Sequence, residues 1–201
     1  MTILSDKDRD AIVELLNIAF GRAAASLSEL TGKRVILEVP QVTLCSIDQV
    51  GEVFSGLTAD EVVTVQQIFT GPVAGDALLM LDVPGARHLC SLLTDSGVLP
   101  PHIGESEREV LTEVGNILLN ACLGTFGNML DISISFSVPW LRMEAVRGLL
   151  ESLVIDNQEL RYALVVSTDF SLKDGAVGGF LVLVLGVASL ERLLAAVEAM
   201  K

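Results

Sequence analysis

The chain has 201 residues, 51% hydrophobic and only 19% charged, enough to bury a sizeable core in one large domain or two small ones. Its 26 acidic and 13 basic residues give a net charge of −13, which argues against nucleic-acid binding and suits solubility or a basic protein partner. Cys45, Cys90 and Cys122 are far apart among apolar neighbours and there are only two histidines, so buried free thiols are expected rather than a zinc site or a disulfide framework.

Taken in chain order, "MTILSDKDRD" is polar and acidic, and no signal peptide is expected. A helix is predicted from Ser5 to about Leu30, with Ser5 or Asp6 as cap, stopped by Thr31-Gly32. "RVILEVPQVTLCSIDQV" reads as a strand interrupted at Pro40. "EVVTVQQIFTG" and "GDALLMLDV" read as two strands, and "GARHLCSLLTD" as a helix ending near Gly97. After the connection "LPPHIGESERE" comes a second long helix, from Ser106 to about Leu130. "DISISFSVPWLRMEAV" reads as a strand broken at Pro139, followed by the strands "RYALVVSTDFSL" and "GGFLVLVLG" and a closing helix capped by Ser189. "GAVGGFLVLVLGVASL", the most apolar stretch, is too short to cross a bilayer, and a cytoplasmic protein with no membrane contact is expected.

The order helix, three strands, helix therefore occurs twice. Glu14, Asn17 and Pro40 recur as Glu113, Asn116 and Pro139 at an offset of 99, while Gly75 lines up with Gly178 at 103. About four extra residues are expected around Ile155 to Leu160. The predicted fold class is α/β (α+β): two helix–strand–strand–strand–helix units, about 5–99 and 104–200, form one antiparallel sheet with the two long helices packed on it. Residues 1–201 are read as a single domain, because neither half is large enough to bury its apolar faces alone.

At 100° per residue, Asp10, Glu14, Asn17 and Gly21 share one stripe of the first helix, opposite Ile12, Leu15, Leu16, Ala19 and Phe20. Glu109, Glu113, Asn116 and Asn120 form the matching stripe of the second, opposite Leu111, Val114, Leu118 and Leu119. Asn disfavours helices, so two copies on exposed faces call for a reason. An amide both donates and accepts hydrogen bonds, and so can orient a water molecule without taking its proton. A carboxylate one turn away can hold a basic group on a partner. Asp131, Asp156, Asp169 and Asp174 are scattered and read as turn residues, not as a metal cluster.

The pattern Asp10-x3-Glu14-x2-Asn17-x22-Pro40, with its second copy Glu113-x2-Asn116-x22-Pro139 and the stretch "EVGNILLNACLGTFGNML", resembles the CheC/FliY/CheX chemotaxis phosphatase family. The resemblance spans nearly the whole chain, is expected to leave no room for an added targeting domain, and with two copies is more like CheC than CheX. It implies hydrolysis of the aspartyl phosphate of a CheY-type response regulator. By motif position Asn17 and Asn116 would orient water, and Glu14 and Glu113 would dock the regulator's lysine. Asp10, Glu109 and Asn120 would add partner contacts, and Pro40 and Pro139 would shape the strands. No cofactor of its own is implied, since the regulator carries the Mg²⁺, and a monomer is expected.

Two departures from the family pattern stand out. Glu109 replaces the usual Asp or Ser, and the first helix reads "ELLNIAFGR" where relatives usually carry Gly before the Asn. The alternatives are a non-catalytic adaptor for the receptor deamidase CheD, and an interaction domain like those of the flagellar switch.

Overall fold

The computed structural model describes residues 5–54, 61–94, 99–156, 160–172 and 175–199. The first half comprises α1 (Asp6–Thr31), β1 (Ile36–Ser46), a 3₁₀ turn (Ile47–Gln49) leading into α2 (Val50–Val53), β2 (Glu61–Thr70), β3 (Gly75–Asp82) and α3 (Val83–Leu93). The second comprises α4 (Glu105–Met129), β4 (Ser135–Phe136), β5 (Trp140–Ala145), α5 (Val146–Asp156), β6 (Leu160–Leu172), β7 (Gly175–Gly186) and α6 (Val187–Ala199). All strand pairs are antiparallel, in the order β1-β6-β7-β3-β2, with β4 and β5 both paired to the outer side of β2.

The ladders show how the halves repeat. Gln41 stands opposite Ser167 as Trp140 stands opposite Gln66, and Leu37 faces Phe170 as Phe136 faces Phe69. With β1 followed by β4–β5 at an offset of 99, β6 thus follows β2 at 101. Gln67 faces Ala77 and its equivalent Thr168 faces Gly179, so β7 follows β3 at 102, not 103. The difference has physical content, because a slip of one residue turns every side chain to the other face. The insertion is correspondingly dispersed: two residues enter before β6 and another at the β6–β7 connection. Part of the stretch where all four were expected, 157–159, lies outside the described residues.

The two prolines of the motif sit at equivalent irregularities. In β1 the register shifts between Glu38 and Gln41, so that Val39 and Pro40 together oppose Thr168. In the second half Val138 and Pro139 separate β4 from β5 and oppose Gln67. Proline has no N–H for the ladder and is confined to such bulges and edges. β4 and β5 are thus one strand broken in two, as the sequence suggested.

Both sheet faces are covered. On one, α1 and α4 pack with α3 and α6 over residues of both halves, including Val65, Leu79, Leu164, Val166 and Leu183, in a single continuous core. On the other, Ile47, Val50, Phe54 and Leu149 from the short helices cover Val62, Leu78, Met80, Val165 and Val182. Those short helices, α2 and α5, were missed: "SIDQV" and "MEAV" look like strand ends by composition. Val50 and Leu149, each 1% exposed, occupy equivalent places in this second layer.

Helix ends follow capping chemistry. Ser5 Oγ accepts from Asp8 N at 3.2 Å, and Gly32 closes α1 in the left-handed conformation with φ 64°. α4 begins at Glu105 behind Gly104, whose N–H donates to Glu107 Oε2 at 2.9 Å. α3 ends at Leu93, and Gly97 lies outside the described residues. Ser189 caps nothing: α6 starts two residues earlier, and Ser189 Oγ instead accepts from Ala74 N at 3.0 Å. α1 and α4 are long and apolar enough, by length and composition, to cross a bilayer, but each turns much of that apolar surface into the core.

Candidate functional site

On α4 the buried residues Leu111, Val114, Leu118, Leu119 and Cys122 hold the helix on the sheet, leaving Glu109 and Glu113 exposed on the far side. Asn116 and Asn120 are half-buried at the edge of that stripe. Asn120 Nδ2 donates to Asn116 Oδ1 at 2.7 Å. Asn120 Oδ1 in turn accepts from Gln67 Nε2 at 3.1 Å, and the same Nε2 donates to the carbonyl of Ser137 at 2.8 Å. Asn120, expected to face a partner, therefore turns its amide inward. Gln67 reaches up from β2 opposite the break at Pro139, and sequence reasoning missed it. Its only signal was the polar pair Gln66-Gln67 in a strand rich in Val, Ile and Phe.

On α1 the corresponding stripe is fully outside. Asp10, Glu14 and Asn17 are exposed, with no side-chain hydrogen bond or ion pair among the described residues. Gly21 stands where α4 has Asn120, and a Cβ there would meet nothing within 4 Å. Thr168 stands where β2 has Gln67. It is buried, and its hydroxyl has no partner. Arg22 Nη1 approaches Thr125 Oγ1 on α4 at 3.4 Å, tying the two helices together.

The cause of the asymmetry is one residue. Gly115 precedes Asn116, and a Cβ on it would stand 2.5 Å from Val65 Cγ1 and 2.6 Å from Val65 Cβ. Real carbon–carbon contacts are about 3.5–4.0 Å, so only glycine allows α4 this close to β2. Leu16 holds the equivalent position on α1, fully buried, so a whole side chain lies between that helix and the sheet. Close approach half-buries the second Asn, and the Leu spacer leaves the first in water.

Beside the α4 stripe lies an apolar rim. Val138 is 85% exposed and Phe136 is 40% exposed, flanking the Ser137 carbonyl that Gln67 grips. Elsewhere the thiols are buried and unreactive in character: burial pushes Cys90 up to about 12, with Glu107 adding to the shift, and pushes Cys122 well above its ordinary value. Cys45 is half-buried and raised for the same reason. Among the described residues no group of three or more His, Cys, Asp or Glu is placed to hold a metal ion.

No protein-family model matches the chain. It is 25% identical over 174 residues to the flagellar motor switch phosphatase FliY of Bacillus subtilis (strain 168), covering 86% of this chain and 44% of that protein. It is 26% identical over 172 residues to the CheY-P phosphatase CheC of the same organism, covering 82% and 80%. The crystal structure of Thermotoga maritima FliY matches 100% of both chains with a TM-score of 0.80 at 20% identity. The chain is thus similar to members of the CheC/FliY family over most of its length. It spans less than half of B. subtilis FliY but most of CheC. Other members of the fold include the FliM middle domain of H. pylori, with a TM-score of 0.64 at 12% identity over 96% of this chain and 99% of that one.

Proposed function

We propose that the chain hydrolyses the aspartyl phosphate of a CheY-type response regulator, using water positioned by Asn116 and Asn17. The observation that carries this reading is the repeated placement of a Glu and an Asn, one turn apart, on the outer stripe of two helices related by the internal repeat. In this reading Glu14 or Glu113 pairs with a lysine of the regulator, and the exposed acidic stripe, with Asp10 and Glu109, guides docking. The Asn amide then holds a water in line with the phosphorus. The water oxygen bonds to phosphorus as the bond to the aspartyl oxygen breaks, yielding inorganic phosphate and the free carboxylate, with the water's proton leaving to phosphate or solvent. The Mg²⁺ that neutralises developing charge is the regulator's. What the protein contributes is position, worth on the order of 10²-fold when a reacting atom is misplaced by an ångström. The reading implies a cytoplasmic protein acting as a monomer.

The test follows the lifetime of phosphate on a CheY-type regulator in the presence of the parent, Asn17→Ala, Asn116→Ala and the double variant. The double variant is expected to leave only the regulator's own rate. Hydrolysis as fast as with the parent would end the proposal. A second reading, a non-catalytic adaptor for the deamidase CheD, is favoured by the net charge of −13 and by Glu109 at the position where the family pattern has Asp or Ser. A stable CheD complex with no effect on phosphate lifetime would select it.

A further inference from the structure

The amide relay beneath Asn116 has a fixed polarity. The Ser137 carbonyl can only accept, so the group of Gln67 that faces it, 2.8 Å away, must be its NH₂. That same NH₂ faces Asn120 Oδ1 at 3.1 Å, which turns the Asn120 NH₂ toward Asn116 Oδ1 at 2.7 Å. Each amide is thereby told which way round to sit by the one below it, and the chain starts at a backbone atom. Gln67 is 1% exposed, so its rotamer is locked by packing, and its own Oε1 is left without a partner. Leaving a buried amide oxygen unpaired is unfavourable, a cost the fold bears while both Nε2 contacts are kept.

We infer that Gln67 and Asn120 are positioning residues that pre-orient the Asn116 amide, making the α4 face the faster of two unequal sites. This deepens the phosphatase reading and rests on it. The relay leaves the Asn116 NH₂ and one lone pair of Oδ1 facing outward, a donor and an acceptor in one fixed arrangement for a single water. Asn17 has no such constraint. With Gly21 in place of Asn120 and Thr168 in place of Gln67, its amide samples both orientations and several rotamers, and must be ordered anew at each encounter. The proline of the motif gains a reason as well. The break at Val138–Pro139 lies opposite Gln67, whose side chain donates to the Ser137 carbonyl beside the break.

The experiment has two arms. In the first, an Asn17→Ala background isolates the α4 face, and Gln67→Leu and Asn120→Asp are assayed on a CheY-type regulator phosphorylated with phosphoramidate and Mg²⁺. Leu keeps the buried volume but cannot donate. Asp can accept from Gln67 but cannot donate to Asn116. Both are expected to lower kcat roughly tenfold with KM within about twofold, since the docking carboxylates are untouched. A fall in KM-dependent binding with kcat unchanged, or no change while Asn116→Ala is inactive, would overturn the inference and leave the phosphatase reading standing.

The second arm needs no turnover. The side-chain ¹⁵NH₂ order parameter of Asn116 in the parent is expected well above that of Asn17, and Asn120→Ala, at a half-buried position, is expected to bring it down to the Asn17 value. Equal order parameters in the parent would refute the relay. If the parent fails to shorten the phosphate lifetime at all, the phosphatase reading falls, and this arm still decides the relay by itself.

Discussion

α1 and α4 carry the same Glu–Asn spacing, come from the same repeat and lie on the same sheet face, yet they present it differently. On α4 the Asn is half-buried and held through Asn120 and Gln67; on α1 it stands alone in water. The difference comes from the residue before the Asn, Gly115 on one helix and Leu16 on the other, and so from packing beneath the stripe rather than from the stripe itself. Two copies of one motif can therefore differ in rigidity.

The sharpest way to break this comparison is to remove the spacer. Leu16→Ala deletes a fully buried side chain between α1 and the sheet, and is expected to cost about 2–5 kcal/mol in denaturant unfolding, depending on how far the helix can settle. If α1 settles well the cost will sit at the low end, and the spacer argument loses force. The reverse change is next in size. Gly115→Ala puts a Cβ against the branch carbon of Val65, which is fixed to the strand, and is expected to cost about 1–3 kcal/mol, a fall in Tm of roughly 2–12 °C for a chain of this size. Gly21→Ala, by contrast, enters open space on an exposed helix surface and is expected to raise stability by about 0.5–1 kcal/mol. Opposite signs at these two helix glycines, read by thermal melts, would confirm that only one of them is there for close approach.

How much of this was written in the sequence depends on the range of the interaction. The stripes, the prolines and the order of long elements follow from patterns along the chain; the structure places the order of long elements and the proline breaks as read, but turns Asn120 of the second stripe inward. α2 was missed because four residues carry too few turns to show a helical period; α5, as long as the recognised α3, was missed although its eleven residues span three turns. The β7 offset was misjudged because glycine-rich strand starts align equally well one residue apart, and only the ladder decides which face each side chain takes. Gln67 was invisible for another reason. Its role comes from a helix 53 positions later settling over it, and nothing local marks that.

A smaller difference lies inside the helices. Cys122 on α4 and Ala23 on α1 are equivalent and both fully buried. Burial raises the Cys122 thiol above its ordinary value of 9.0, so the folded chain holds this proton more tightly than the unfolded one. Its stabilising contribution is complete below pH 9 and declines as the pH rises beyond that, by about 1.4 kcal/mol per pH unit at most. Denaturant midpoints at pH 8 and pH 10 are expected to fall for the parent and to fall less for Cys122→Ala, with the remaining fall coming largely from Cys90. An identical fall in both proteins would show that the thiol is not shielded as the packing implies.

The smallest contrast is at the far ends of the two helices. α1 stops at Gly32 with φ 64°, and the equivalent residue past α4 is Asp131 with φ 52°. Both lie in the left-handed region, where a side chain costs about 1 kcal/mol and glycine costs nothing. The repeat therefore needs the same backbone turn twice and meets it with the permissive residue once. Gly32→Ala is expected to lose about 1 kcal/mol even though a Cβ there would meet no atom within 4 Å, because the penalty is in the backbone and not in contacts. Asp131→Gly is expected to gain a few tenths up to about 1 kcal/mol, less than the full amount because Asp tolerates this conformation better than most residues and glycine adds freedom to the unfolded chain. Measured by denaturant midpoint, a gain at Asp131 and a loss at Gly32 would show that both helices are ended by the same geometry; no gain at Asp131 would mean that its side chain contributes to the turn as much as the backbone penalty removes.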